Sequence, residues 1–211
     1  MALRLLPFRQ YDEQDVVNLF ALTNSEVLTS TTGDGAGSNG VFVKVADGNF
    51  NQDIISYGSN DYLGKTDYPF VGGDMYPTNQ LEVQAAGSGE LPLGLTLNQT
   101  AQNDENGEKL LYNTTKKEEL QAVLPGQTVP VATKGIFTLS ANATEGVLPG
   151  NQLGIGSGIM MATGAASSGK NTGVAPTNSA AFGTVIGTGS RASQGGITDQ
   201  FAGDFVVVKI G

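Results

Sequence analysis

The chain has 211 residues, enough for one large domain or two small ones, with 39% hydrophobic residues, 30 glycines, 8 prolines and no tryptophan. It contains neither cysteine nor histidine, which removes disulfides, thiolate chemistry, ordinary zinc sites and the commonest general base. A formal net charge of −9 disfavours non-specific contact with nucleic acid or with an anionic membrane surface.

That charge is uneven. Residues 1–119 hold 17 acidic and 7 basic residues, a net −10, whereas residues 120–211 hold 3 and 4, a net +1, and sixteen of the glycines lie in 135–211. So sparsely charged a C-terminal part reads either as tightly turned strand and loop or as a surface packed against something. No apolar run reaches membrane-spanning length and the opening lacks a signal-peptide core. The expectation is a soluble protein, synthesised in the cytoplasm, with no membrane and no nucleic acid among its partners.

In chain order, residues 1–40 read as an N-terminal arm and linker. Pro7 interrupts any helix in RLLPFRQYDEQDVVNLFAL, and TSTTGDGAGSNG (29–40) is turn-rich without apolar periodicity. Two roles are open to the arm: pairing with the protein's own sheet, or reaching across a neighbouring subunit. In the second role the contacts fall to Leu3, Leu5, Leu6, Phe8, Val16, Val17, Leu19 and Phe20.

Residues 41–211 read as a β-rich domain. VFVKVADGNFNQDII predicts a hairpin about Asp47-Gly48. Residues 57–80 carry Tyr57, Tyr62, Tyr68 and Tyr76 amid Gly, Asn, Asp and Pro, an ordered loop pinned by aromatics. Its tyrosines either pack beneath the loop or face a partner, and Tyr62, Tyr68 and Tyr76 are the interface candidates. LEVQAAGSGELPLGLTLNQT predicts strand–turn–strand about Gly87-Ser88-Gly89. One persuasive helix follows, KKEELQAVL, with Leu120, Val123 and Leu124 on one face and a stop at Pro125-Gly126. The segments TVPVATKGIFTLSA, GTVIGTGS and DFVVVKIG predict short strands bounded by glycine. VLPG occurs at 123–126 and again at 147–150, and both copies read as β-turns with Pro and Gly in the central positions. The fold class is mainly β: a small β-barrel or sandwich with one short helix and an extended N-terminal arm.

Two motifs invite chemistry. GAASSGKNTG (164–173) matches the spacing of a phosphate-binding loop at Gly164, Gly169 and Lys170, but Asn171 stands where a hydroxyl should bind Mg²⁺. The helix that such a loop must open is forbidden by Gly173 and Pro176, so the loop reads as surface. DENGE (104–108) clusters carboxylates without the alternating ligand spacing of a calcium loop, and Asn106-Gly107 reads as a tight turn. No catalytic, cofactor-binding or metal-binding residues are expected.

Three stretches together, RLLPFRQYDEQDVVNLFAL, DENGEKLLYNTTKKEELQAVLPGQTVPVATKGIFTL and FGTVIGTGS with GDFVVVKIG, resemble virion structural proteins of tailed bacteriophages, particularly those of marine cyanobacterial phages. Residues 90–211 are more loosely similar to small β-barrel capsid decoration proteins. The resemblance implies a non-enzymatic decoration (cement) protein on the capsid outer surface, with the major capsid protein as partner and a homotrimer as the form to look for. It brings no catalytic residues. Two alternatives stand beside it: a tail or baseplate β-domain, and a carbohydrate-binding β-sandwich using the loop tyrosines as stacking rings.

Overall fold

The computed structural model describes residues 4–33, 35–47, 49, 79, 81–87, 90–140, 149–150, 152–156, 159–163, 182–192 and 202–211. In chain order these form β1 (Arg4–Gln10), β2 (Val16–Val17), β3 (Ala21–Leu22), β4 (Leu28–Ser30), β5 (Phe42–Val45), β6 (Glu82–Ala85), β7 (Gly94–Thr96) and β8 (Gln99–Asn103). Helix α1 (Thr114–Glu119) follows, and then β9 (Ala122–Val123), β10 (Val131–Ala132), β11 (Gly135–Ser140), β12 (Gln152–Gly156), β13 (Ile159–Thr163), β14 (Gly183–Arg191) and β15 (Gly203–Ile210).

The strands make three sheets. The first is antiparallel, ordered β1-β11-β15-β14-β12-β13; the second is ordered β2-β10-β7-β5-β6-β3; the third is the three-stranded parallel sheet β4-β8-β9. None closes on itself, so of the two expected architectures the sandwich is the one that forms.

Its main core lies between the first two sheets, where Phe137, Leu139, Leu153, Val185, Val206, Val208 and Ile210 meet Phe42, Leu95 and Ala132. The second sheet is buried on both faces. Neighbouring residues on a strand point to opposite sides, and while Phe42 and Leu95 face the main core, Val43, Val83 and Val131 join Phe20, Leu22, Leu81 and Val129 in a second cluster. That is why VFV carries no polar alternation: a strand covered on both faces needs apolar residues at every position. A third cluster, of Leu28, Ala101, Leu110, Ala122 and Leu124, serves the parallel sheet.

Within its first thirty residues the chain gives strand to every sheet. β1 pairs with β11, β2 with β10, β3 with β6 and β4 with β8. Residues 4–10 are extended as expected, and they pair with the protein's own sheet. β1 is an edge strand, and its register slips between the pairs Leu5–Leu139 and Arg9–Phe137. Pro7 sits in that irregularity, where its missing N–H costs no ladder bond.

Three local expectations meet different outcomes. β5 pairs with β6 along Val43–Val45 and with β7 at Phe42 and Val43; the second half of the hairpin expected about Asp47-Gly48 lies outside the described residues. The strand–turn–strand about residues 87–89 forms, as β6, a turn in which the Glu90 N–H donates to the Gly87 carbonyl at 3.3 Å, and β7, but the two strands flank β5 instead of pairing with each other. Helix α1 is shorter and earlier than KKEELQAVL. Asn113 caps it by accepting from the Lys116 backbone N–H at 3.2 Å, and the chain leaves the helix at Gln121, whose φ is +49°. Ala122 and Val123 then pair in parallel with Gln99 and Thr100. The apolar residues after Leu120 belong to a strand and its core because parallel pairing with β8 buries them, whereas α1 itself buries none of its residues.

The first VLPG is a β-turn: the Gln127 N–H donates to the Leu124 carbonyl at 3.0 Å, with Gly126 at φ +76°. In the second copy Gly150 also takes positive φ, +91°.

Candidate interaction surface

The side of the first sheet turned away from the main core is also apolar. On β15, Val206, Val208 and Ile210 are buried inward, and the intervening Phe205 and Val207 are only half-buried. Val207 lies opposite Thr138 on β11 and Gly187 on β14, and Phe205 lies opposite Ser140 and Gly189. Phe205, Val207 and Thr138 line, with Leu6, Phe8 and Ile136, a groove of about 460 Å³. Its floor is Leu6 and Thr138, both buried, and Phe8 stands over it 81% exposed. An exposure that high for a phenylalanine on an ordered strand is unusual, because burying such a ring is worth about 1.5–3 kcal/mol.

Glycine shapes one wall. A β-carbon at Gly189 would fall 2.5 Å from Cζ of Phe205, so the Phe205 ring lies directly on the backbone of β14. Beside it, Gly187 leaves open space, with nothing within 4 Å of where its β-carbon would be. The glycines of GTVIGTGS therefore allow the ring to lie flat and lower that side of the groove.

Two arginines, Arg9 and Arg191, complete the lining, which contains no acidic residue. Neither is ion-paired among the described residues; the ion pairs there are Lys44–Glu90, Lys116 with Glu105 and Glu119, and Lys117–Glu118. The Arg9 guanidinium lies 6.0 Å from the centroid of the Tyr11 ring, which stacks on Phe137 at 5.7 Å. A cation–π contact thus links the groove rim to the core. Arg9 also borders two more polar depressions, one of about 770 Å³ with Asn79, Asn98, Gln121 and Thr128, and one of about 640 Å³ with Asn39, Gln99 and Glu119.

The residues expected to contact a partner fall into different environments. Phe8 and Leu19 are exposed, Leu19 by 45%. Leu5 points into the main core and Phe20, just before β3, into the second cluster, so both are withheld from any partner, whereas Leu6 points the other way and is buried in the groove floor. Val16 and Val17 are half-buried against the two cores. Leu3, Tyr62, Tyr68 and Tyr76, like the phosphate-loop look-alike at 164–173, lie outside the described residues. Ile136, Phe205 and Val207 were not singled out from the sequence. For Phe205 and Val207 a signal was present in DFVVVKI, where two apolar residues fall on the face opposite Val206, Val208 and Ile210.

The carboxylate cluster at 104–108 is a turn. Asp104 is buried, and its Oδ1 accepts from the backbone N–H groups of Asn106 at 2.9 Å and Glu108 at 2.8 Å. Glu105 is held below its ordinary pKa by the hydrogen bond from Lys116, which lies 2.7 Å away. Among the described residues no group of His, Cys, Asp or Glu is placed to hold a metal ion, and no helix is long and apolar enough to cross a membrane. Comparison with known proteins found no matching family model, no matching curated protein and no matching solved structure.

Proposed function

We propose that this chain is a non-enzymatic capsid decoration (cement) protein, which binds the outside of an assembled bacteriophage head and stabilises it by clipping neighbouring major capsid subunits. The observation that carries the reading beyond resemblance is the outer face of the first sheet. It is a preformed apolar groove with an exposed phenylalanine at its lip and two arginines at its rim. Apolar anchors ringed by polar groups are the usual anatomy of a protein interface. The occupant that suits it is a segment of the capsid protein presenting apolar side chains next to carboxylates, because the lining offers cations and no anion. Binding only the assembled lattice would stabilise that lattice by mass action, and contacts to several subunits would raise the effective affinity. The absence of cysteine and histidine from the sequence suits a part whose task is contact.

Quantitative mass spectrometry of purified particles tests the assignment. A copy number near that of the major capsid protein, or a simple fraction of it, is the expected result; a handful of copies would move the protein to the tail or baseplate, and absence from particles would overturn the reading. The groove is tested separately by adding purified protein to undecorated heads. Phe8→Ser and Arg191→Glu should each weaken binding severalfold while leaving the thermal midpoint unchanged. Binding by both variants at wild-type strength would remove the groove from the interface.

A further inference from the structure

The sequence contains two Asn-Gly pairs, Asn39-Gly40 and Asn106-Gly107, and the structure places them in opposite circumstances. Spontaneous deamidation at such a pair requires the glycine backbone nitrogen to lose its proton and attack Cγ of the asparagine side chain. Ammonia leaves, a succinimide forms, and water opens the ring to aspartate or, through the other carbonyl, to isoaspartate. The attacking nitrogen must be free to move and the side-chain amide free to turn toward it.

At the first pair neither condition holds. Gly40 is buried and its N–H donates to the Thr96 carbonyl at 2.8 Å, while Asn39 Oδ1 accepts from the Leu5 N–H at 3.3 Å. At the second pair both constraints are weaker. Asn106 and Gly107 are exposed, and nothing lies within 4 Å of the place a Gly107 β-carbon would occupy. The Gly107 N–H donates a long hydrogen bond, 3.3 Å, to the Asp104 carbonyl, against 2.8 Å at Gly40. Among the described residues the Asn106 side-chain amide has no hydrogen-bond partner, since Asp104 engages the Asn106 backbone and not its side chain.

We infer that Asn106 is a built-in deamidation site of the native protein and that Asn39 is protected from the same reaction by the fold. The product form matters. Aspartate at 106 keeps the turn, because the Asp104 carboxylate still reaches both backbone N–H groups. Isoaspartate places an extra carbon in the main chain between the two donors, at 106 and 108, and so pulls the turn apart. This inference does not depend on the proposed function.

The test is a time course of the intact protein at mildly alkaline pH in water labelled with heavy oxygen, followed by peptide mapping and isoaspartyl methyltransferase labelling. The expected result is conversion at 106 into isoaspartate and aspartate with uptake of one heavy oxygen, on the order of tenfold or more faster than at 39. That ratio reflects the local opening which Asn39-Gly40 needs before it can react. In denaturant the two sites should react at similar rates. Equal native rates at both sites, or an inert Asn106 in the native protein, would overturn the inference. Asn106→Asp should keep the wild-type thermal midpoint, whereas the aged isoaspartyl form should melt lower; identical melting of the two would overturn the claim that isoaspartate opens the turn.

Discussion

Both faces of the first sheet carry large apolar side chains, and these have different fates. On the inner face, Phe137, Val206, Val208 and Ile210 are closed over by the second sheet. On the outer face, Phe8, Ile136, Phe205 and Val207 meet no second layer among the described residues and line a groove. The presence of apolar side chains alone therefore does not decide which face becomes core in this molecule. Among the described residues what separates the two faces is an opposing layer: the second sheet covers the inner one, and its own far face packs on the second cluster around Val43 and Val83.

The inner face should tolerate substitution least. Phe137 is fully buried and carries the stacked Tyr11 ring, so Phe137→Ala should destabilise by about 3–5 kcal/mol. That is a large part of the roughly 5–15 kcal/mol of a typical domain, and chemical denaturation would register it as a lowered midpoint. Next comes the seam that lets the second sheet pack tightly. A β-carbon at Gly94 would lie 2.2 Å from the Ala132 carbonyl oxygen, a backbone atom that cannot swing aside, so Gly94→Ala forces β7 and β10 apart. A loss of about 1–3 kcal/mol is expected from such overpacking. An unchanged midpoint would mean that the two strands yield without cost.

The outer face should respond in the opposite sense. Phe8→Ser, at a position 81% exposed, should change stability by no more than about 0.5 kcal/mol. Its measurable effect is then on association. A large drop in the midpoint for Phe8→Ser would show that the outer face is structural, and the contrast between the faces would disappear.

What could be read in the sequence divides along the same line. Local signals were legible. The strands within 131–140, 183–191 and 203–210 follow from short β-branched runs between glycines, and the turn at 124–127 follows from Pro125 and Gly126. Partnerships between distant segments were not legible. Nothing near Asp47-Gly48 reveals that β5 is already flanked on both sides, by β6 some forty residues later and by β7. Likewise Leu120, Val123 and Leu124 have helical spacing, but pairing with β8 decides that residues 122–123 are strand. The groove was half legible: Phe8 stands out beside Pro7 in the opening segment, whereas its companions Ile136, Phe205 and Val207 join it only through the register of β1, β11 and β15.

The smallest effects concern two carboxylates that mark the margins of these layers and titrate in opposite directions. Glu26 is half-buried, and burial raises its pKa above the ordinary 4.5 even though its Oε2 accepts from the Ala85 N–H at 2.8 Å. The folded state thus prefers the neutral acid, and the stability tied to this group is fully present below pH 4.5 and is lost as pH rises through the raised value. Glu26→Gln keeps an acceptor for Ala85 and cannot ionise, so its thermal midpoint relative to wild type should climb between about pH 4 and pH 7. Glu90 behaves inversely. The hydrogen bond from Lys44 at 2.6 Å, with help from the Gly87 N–H, lowers its pKa, so its contribution is present above 4.5 and is lost as pH falls through the lowered value. Because the Lys44–Glu90 pair is solvent-accessible, Glu90→Gln should cost little at neutral pH, nothing in acid, and less as salt is added. Parallel pH profiles for the two variants would mean that the raised and lowered values do not arise from burial at Glu26 and pairing at Glu90.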